Sequence, residues 1–473
     1  MKYLKIYSLA VLFLLLASGA NGKVHPASLF CDGMVLQQKS NVRVWGWASS
    51  STKVTVITSW DGKEYNCQSK EDGSWDLVIK TPAADNKAYE LTLSDGEPLV
   101  IRNVLLGEVW LASGQSNMEM PLQGWAKYPL ENSERFIGEA ENYKDRLRFV
   151  QVPHNPSLEP VKQVDLKWTV CDSISAKSFS AVGYFFGRML ADALGCPVGI
   201  ISSTYGGTHV EAWSPKELLA TYPDMNLRPD FLEMLIPSAQ PMVMYNGMIN
   251  PLIGFTLKGI IWYQGEADVS AYDKYAFRFG QMVKTWRNLW NDAKLPFLYV
   301  EIAPYRYVGL ARNRAPRLRE AQWEVADKLS DAAMICTNDL VKANEANCVH
   351  PSNKYDVGLR LSQLALSKVY GRKDAKADYP RFQKMKVEGK RVVLSFSNVK
   401  DSFAPTDNIV GFEVCGQDNI YYPAKAVIEG QNIIVSSEKV SHPKAVHYAY
   451  QDFLPGNVRN QDGLPLVPFR TNF

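Results

Sequence analysis

Apolar and polar positions change rhythm twice along the chain. From Val24 to about Val104 the period is two. Val54, Val56 and Thr58, then Trp75, Leu77 and Ile79, then Tyr89, Leu91 and Leu93 fall on one side of short strands. Asp61-Gly62, Asp72-Gly73 and Asp95-Gly96 punctuate these runs, and Asp-Gly between alternating runs is a strong hairpin signal. This spacing of strands and turns predicts a small β-sandwich over residues 23–104.

After Gly107 continuous apolar runs take turns with helical spacing. Glu108–Ala112 reads as a buried strand, and Val182, Phe185, Phe186, Met189, Leu190, Ala193 and Leu194 recur as one helix face. Then come strand Val198–Ser202, a helix from Pro215, strand Gly259–Tyr263 and an amphipathic helix from Asp273 to Trp290. Strand Pro296–Ile302, a helix around Pro316–Val325, strand Ala332–Cys336 and a helix from Lys354 follow. Alternating strand and helix predict a parallel sheet with helices on both faces, an α/β domain over residues 105–380. From 381 to 473 short strands return at Val392–Phe396, Val410–Val414, Ile433–Ser436 and Ala445–Tyr450. This last β-rich region reads as too short and open to stand alone, and it is expected to pack on the central domain or the first sandwich.

Ahead of the sandwich, Lys2 and Lys5 precede the apolar run Leu9–Ala17 and the small residues Ser18, Gly19, Ala20 and Gly22. That order reads as a signal peptide over residues 1–22, cut after Ala20 or Gly22. Its apolar core is too short to span a bilayer, which takes about 20 helical residues. No later segment is apolar enough to do so, so no stable membrane insertion is expected after cleavage, and the mature chain is expected to be exported, periplasmic or secreted. With 52 Lys and Arg against 49 Asp and Glu, the chain lacks the basic bias of a nucleic-acid binder. Seven scattered Cys, with no CxxC and no Cys/His cluster, favour free thiols over a disulfide framework or a metal site.

Reactive groups of an open parallel sheet gather beyond the carboxyl ends of its strands. The residues there are Ser113-Gly114-Gln115-Ser116-Asn117-Met118, Thr204-Tyr205-Gly206-Gly207-Thr208, Gln264-Gly265-Glu266-Ala267-Asp268, Thr337-Asn338-Asp339 and Asn347-Cys348-Val349-His350-Pro351. A serine after a strand is usually an N-cap, and a Gly pair is usually a turn. Together they meet the needs of ester hydrolysis: a hydroxyl nucleophile, a histidine to take its proton and N–H donors for an oxyanion. Ser116 is the candidate nucleophile and His350 the candidate base. The N–H groups of Ser116 and Gly207 and the Gln264 amide are the candidate oxyanion donors. His209 neighbours the Gly pair but reads as a solvated loop residue. His25, His154, His442 and His447 lie outside these strand ends and read as surface or structural.

Gly114-Gln115-Ser116-Asn117-Met118, Gly206-Gly207-Thr208 with Glu211-Ala212-Trp213, Trp262-Tyr263-Gln264-Gly265-Glu266, and His350-Pro351 with Lys354 resemble the sialate O-acetylesterases, which are SGNH-type hydrolases. Asp32–Gln37, Trp45–Ala48, Tyr245–Met248, Gly463–Pro465 and Phe469-Arg470 extend the resemblance over nearly the whole mature chain. It implies a flavodoxin-like three-layer α/β/α hydrolase domain flanked by β-rich regions, with Ser116 as nucleophile and His350 as base. No metal and no organic cofactor are implied. Within the motifs, Gln115, Glu211, Asn246 and Glu266 are candidates for substrate contact.

The chain departs from the SGNH pattern twice. Gln264 stands where such hydrolases commonly place an Asn oxyanion donor. Asn347 stands three residues before the histidine, where an acid is usual. Asn347 could orient the ring without charge, Glu345 or Asp339 could supply a carboxylate, or the pair could act as a dyad. The expected activity is removal of O-acetyl groups, position 9 included, from sialic acids or an O-acetylated glycan. The alternatives are an acetylxylan or other polysaccharide acetylesterase, and, from another class, a catalytically inactive carbohydrate-binding protein.

Overall fold

In the computed structural model, which describes residues 23–310 and 313–471, everything is arranged around one long strand, Pro98–Gly114. Its first residues are partly exposed, and from Val104 onward every residue is buried. That change follows its partners. The first half pairs antiparallel with Ala88–Ser94 inside the N-terminal sandwich. The second half lies between the parallel strands Val198–Thr204 and Gly259–Tyr263, where a strand is covered on both faces and reads as continuous apolar sequence. The segment read as a signal peptide lies outside the described residues.

The second sheet of the sandwich places Asn41–Trp47 between His25–Pro26 and Ser74–Lys80. Asp61-Gly62 closes the hairpin of Lys53–Thr58 with Glu64–Gln68, and Asp95-Gly96 closes that of Ala88–Ser94 with Pro98–Gly114. Asp72-Gly73 closes no hairpin. Ser74–Lys80 pairs with Asn41–Trp47 instead, so this turn carries the chain from one sheet to the other.

The parallel strands run in the order Leu147–Gln151, Val198–Thr204, Pro98–Gly114, Gly259–Tyr263, Phe297–Val300, Ala332–Ile335. The last five have the flavodoxin order 2-1-3-4-5. Leu147–Gln151 is an added strand beyond them, with Thr169–Val170 antiparallel at its edge. Sequence reasoning missed it because Arg148 interrupts its apolar pattern. That side chain is buried, and its Nη1 donates to the carbonyls of Lys144 and Leu147 at 2.5 and 3.2 Å. The helix expected from Pro215 is one turn, Lys216–Leu219. The chain beyond it folds over a small core of its own, made by Leu219, Tyr222, Leu232 and Met242.

Successive side chains of the central strands go to opposite layers, as the period of a strand requires. Trp110 and Ala112 pack with Val182, Phe185 and Phe186 of helix Ala181–Leu194 and with Leu361 and Leu364 of helix Tyr355–Lys368. Val109 and Leu111 belong to the core of the other face, with Phe279 and Trp286 of helix Tyr272–Leu289 and Leu318 of helix Arg314–Lys328. That core continues into the sandwich through Val54, Val56 and Trp75. The helices Ala181–Leu194 and Tyr355–Lys368 approach so closely at Gly358 that a Cβ there would stand 2.4 Å from Phe185 Cβ.

The C-terminal region forms two four-stranded antiparallel sheets around a core that includes Val392, Leu394, Val414, Ile433 and Val446. Arg381 and Arg470 pair with Asp327 and Glu320 of helix Arg314–Lys328, and Arg459 reaches Asp339 beyond strand Ala332–Ile335. The region therefore has its own core and also packs on the central domain. All seven Cys are free thiols. No helix among the described residues is long and apolar enough to cross a membrane.

Candidate active site

Strand Pro98–Gly114 has Val198–Thr204 on one side and Gly259–Tyr263 on the other, and the chain crosses over it between those two, so the crevice of the sheet opens at its end. Gly114 makes the bend there. Its φ is +130°, and a Cβ would meet the Tyr263 carbonyl at 2.3 Å. Gln115 is extended, and Ser116 opens the single turn Ser116–Glu119, which has no side-chain cap. The first N–H groups of such a turn lack intrahelical acceptors. Gly206 lies against Ser116, with its Cβ direction 3.4 Å from Ser116 Cβ. Glu119 holds that loop by accepting the Gly206 N–H, and it also faces His154 Nε2 at 3.0 Å. Burial pushes the Glu119 carboxyl up, and His154 opposes this.

Ser116 Oγ and His350 Nε2 stand 2.9 Å apart, across 234 residues of sequence. The buried amide of Asn117 fixes this meeting. Its Nδ2 donates to Glu266 Oε1 at 2.5 Å and to the Val349 carbonyl at 3.0 Å, and its Oδ1 accepts from Lys354 Nζ at 2.7 Å. Burial pushes the Lys354 ammonium down to about 8 and the Glu266 carboxyl upward. Burial, with the nearby Lys354 charge adding to it, also pushes the His350 imidazole down to about 4. The ring packs edge-to-plane against Trp125 and Tyr128, with centroids 4.9 and 4.6 Å away. Its Nδ1 is buried with no hydrogen-bond partner among the described residues.

None of the three proposed supports reaches that nitrogen. Asn347 is exposed. Glu345 accepts the N–H groups of Lys342 and Ser352, both at 3.0 Å, and so ties its own loop. Asp339 is held by Arg360 through both oxygens, at 2.7 and 2.8 Å, and by Arg459 at 2.9 Å. Glu345 and Asp339 are oriented by other partners and Asn347 faces solvent, so of the alternatives left open by the sequence the structure brings together only the Ser116–His350 pair.

The expectation for Gln264 is corrected. Its side chain is fully buried, and both amide hydrogens are given away, to the Thr208 carbonyl at 2.9 Å and to Asp268 Oδ2. Its Oε1 accepts the Tyr275 hydroxyl at 3.0 Å. Gln264 braces the Gly207-Thr208 loop from behind and has no hydrogen left for an oxyanion. Three of the four candidates for substrate contact are committed too. Glu211 is paired with Arg278, Asn246 donates to the carbonyls of Ser157 and Leu158, and Glu266 is buried under Asn117. Gln115 is also buried, and its Oε1 accepts the Gly265 N–H at 3.2 Å.

Two histidines stand closer to the site than their sequence context suggested. His154 follows the unpredicted strand Leu147–Gln151, so it too lies beyond a carboxyl end, beside Glu119 and with its ring tilted against Tyr205, centroids 4.4 Å apart. Recognising that strand would have found it. His209 is half-exposed and paired with Asp268 at 3.2 Å, a bond that raises its pKa. His209, Glu211 and Asp268 bring ligand-type atoms within 4.8 Å of one another. Arg278 already neutralises Glu211, and Gln264 with the Val210 N–H occupies Asp268 Oδ2, which makes the cluster a bracing network and leaves little room for a cation.

A hydroxyl in contact with an imidazole, beside first-turn N–H groups that lack intrahelical acceptors at the switch point of a parallel sheet, has the parts needed to open an acyl bond. The fold and this pair define the class: a carboxylic ester hydrolase. Residues 106–367 match the family model described as carbohydrate esterase, sialic acid-specific acetylesterase, and the chain belongs to that family. It is similar to the sialate O-acetylesterase of Homo sapiens, at 28% identity over 78% of this chain and 76% of the relative. The Mus musculus sialate O-acetylesterase is 27% identical over 78% of each chain. Among solved structures, a carbohydrate acetylesterase from Xanthomonas citri is 32% identical, with a TM-score of 0.84, covering 95% of this chain and 99% of the other.

The bonds of Gln264 predict how its loss will act. Gln264→Ala takes the Gln264 donor from the Thr208 carbonyl and removes one of several bonds each from Asp268 and the Tyr275 hydroxyl, so urea unfolding should show a loss of about 1–3 kcal/mol, with activity falling as the Gly207 loop loosens. A variant as stable as the parent but slow in kcat would return Gln264 to the oxyanion site.

Proposed function

We propose that the protein hydrolyses O-acetyl esters of sugars, with O-acetylated sialic acids as substrates, through an acetyl-enzyme on Ser116. The contact of Ser116 Oγ with His350 Nε2 at 2.9 Å carries this reading. Ser116 Oγ attacks the acetyl carbonyl carbon while His350 Nε2 takes its proton. The carbonyl oxygen becomes an oxyanion, held by the N–H groups of Ser116 and Gly207. The C–O bond to the sugar then breaks, and His350 returns the proton to the departing sugar oxygen. Water, giving a proton to His350, attacks the acetyl-enzyme; the bond from the acyl carbon to Ser116 Oγ breaks, His350 returns the proton to Oγ, and acetic acid leaves as acetate. A second reading is acetylated polysaccharide such as xylan: the Xanthomonas citri relative is named as a carbohydrate acetylesterase, a description that fits either substrate. The leader over residues 1–22 supports export to the periplasm or medium. Intact mass of the protein recovered outside the cytoplasm should correspond to a start at Asn21 or Lys23, and an uncut cytoplasmic chain would end the export reading.

Ser116→Ala should fold and lose nearly all turnover of an aryl acetate and of O-acetylated sialic acid, since the hydroxyl is the covalent centre. Parental rates in that variant would refute the mechanism. Acetate release from O-acetylated sialic acid and from acetylated xylan, compared by kcat/KM, separates the two substrate readings.

The pH profile follows from the depressed imidazole. A base must be neutral to accept a proton, and His350 gains its own proton only as pH falls through about 4. The acid limb of kcat/KM should therefore lie near 4, well below the ordinary histidine range of about 6.5, with a plateau towards neutrality. A limb between 6 and 7 would overturn the depressed titration of His350 and leave its role as base to the Ser116–His350 contact.

A further inference from the structure

We infer that Trp125 and Tyr128 are positioning residues for His350: their rings do the orienting that a carboxylate at Nδ1 does in a serine triad. This rests on the reading of Ser116 and His350 given above. The imidazole has one hydrogen-bonded nitrogen, Nε2, and its Nδ1 has no partner among the described residues. A ring held by one hydrogen bond is free to turn about its χ angles, and a turned ring loses the serine. What stops it here is contact. Trp125 and Tyr128 stand at 76° and 72° to the imidazole plane, with centroids 4.9 and 4.6 Å away.

The two rings are themselves held. Trp125 and Tyr128 exchange both backbone bonds, each N–H donating to the other carbonyl at 2.9 Å, so they form the ends of a minimal hairpin. On one side, Leu122 and Gln123 donate to the carbonyls of Phe179 and Lys177 at 2.9 and 3.0 Å. On the other, the Glu131 N–H donates to the Ser352 carbonyl at 3.1 Å, two residues past the histidine, and Ser352 Oγ donates to Glu131 Oε1 at 3.3 Å. Glu131 also pairs with Lys342. The hairpin and the histidine loop are thus tied directly to each other, and the rings cover the buried, idle nitrogen. That cover agrees with burial as the first cause of the depressed imidazole.

The groups facing His350 limit what else could set its titration. These are the Ser116 hydroxyl, the Tyr128 phenol, the Cys348 thiol, whose Sγ donates to the His350 carbonyl at 3.0 Å, and the Lys354 ammonium. Glu266 lies beyond Asn117, and Glu131 is neutralised by Lys342.

The test compares Trp125→Ala and Tyr128→Ala with the ring-keeping Trp125→Phe and Tyr128→Phe, and with Leu at each position should an Ala variant not fold. Two readouts are taken: kinetics with an aryl acetate across pH, and the His350 midpoint from ring NMR titration. The expected result for loss of a ring is a fall of about 10²-fold in kcat, the scale of a misplaced catalytic group, at nearly unchanged KM. The acid limb and the NMR midpoint should rise together from about 4 towards 6.5, and Phe should restore most of both. A loss confined to KM with the His350 midpoint unmoved would make the rings a sugar platform and overturn the inference, as would no change in either readout. The NMR titration is repeated in the Ser116→Ala protein, so its answer about the ring stands even if Ser116 proves not to be the nucleophile.

Discussion

One buried amide decides whether this chain has an active centre. Asn117 uses both of its hydrogens and its oxygen, on Glu266, Val349 and Lys354. Inside a protein an unsatisfied amide is costly, so a fully bonded one tolerates little displacement. Its partners bracket the histidine: Val349 directly precedes it, and Lys354 follows four residues later. The residue next to the serine therefore grips the loop that carries the base. The buried Lys354 and Glu266 are costly to charge, as their opposite pKa displacements show. Asn117 bonds to both and keeps the two groups in one network.

The architecture was largely legible in the pattern of apolar positions. Strands covered on both faces read as uninterrupted apolar runs, helices as one-sided stripes, and Asp-Gly pairs as turns. The failures have physical causes. Arg148 hid a parallel strand because its charged end is satisfied by carbonyls, which a hydropathy pattern cannot register. The stretch after Pro215 carries helical spacing but spends its apolar residues on a small private core. In the C-terminal region the core is assembled from many short strands, none of which signals its partner.

The candidate site was legible only in part, and the division follows the reach of local sequence. The positions of Ser116, Gly206-Gly207 and His350 could be read because strand ends of a parallel sheet converge by topology. Which hydrogen bonds a side chain has already spent could not be read, since its partners come from distant segments. Gln264 looked like a donor until Thr208, Asp268 and Tyr275 claimed it. Asp339 looked like a free carboxylate until Arg360 and Arg459 claimed it. Trp125 and Tyr128 drew no notice, because aromatic residues in a loop carry no signal of the imidazole they enclose.

The strand Pro98–Gly114 also sets an order of assembly. Synthesis from the amino end completes the sandwich partners of its first half early. Its second half, apolar on both faces, must then wait for Val198–Thr204 and after that for Gly259–Tyr263. During that interval the nascent chain displays an unpaired apolar strand, the kind of edge on which chains aggregate. The carbonyl of Tyr263, which the Gln115 N–H meets at 3.0 Å beside the bend, arrives last among these neighbours. A chain that stalls before that residue would carry the whole serine motif and yet lack the turn that gives it chemical meaning.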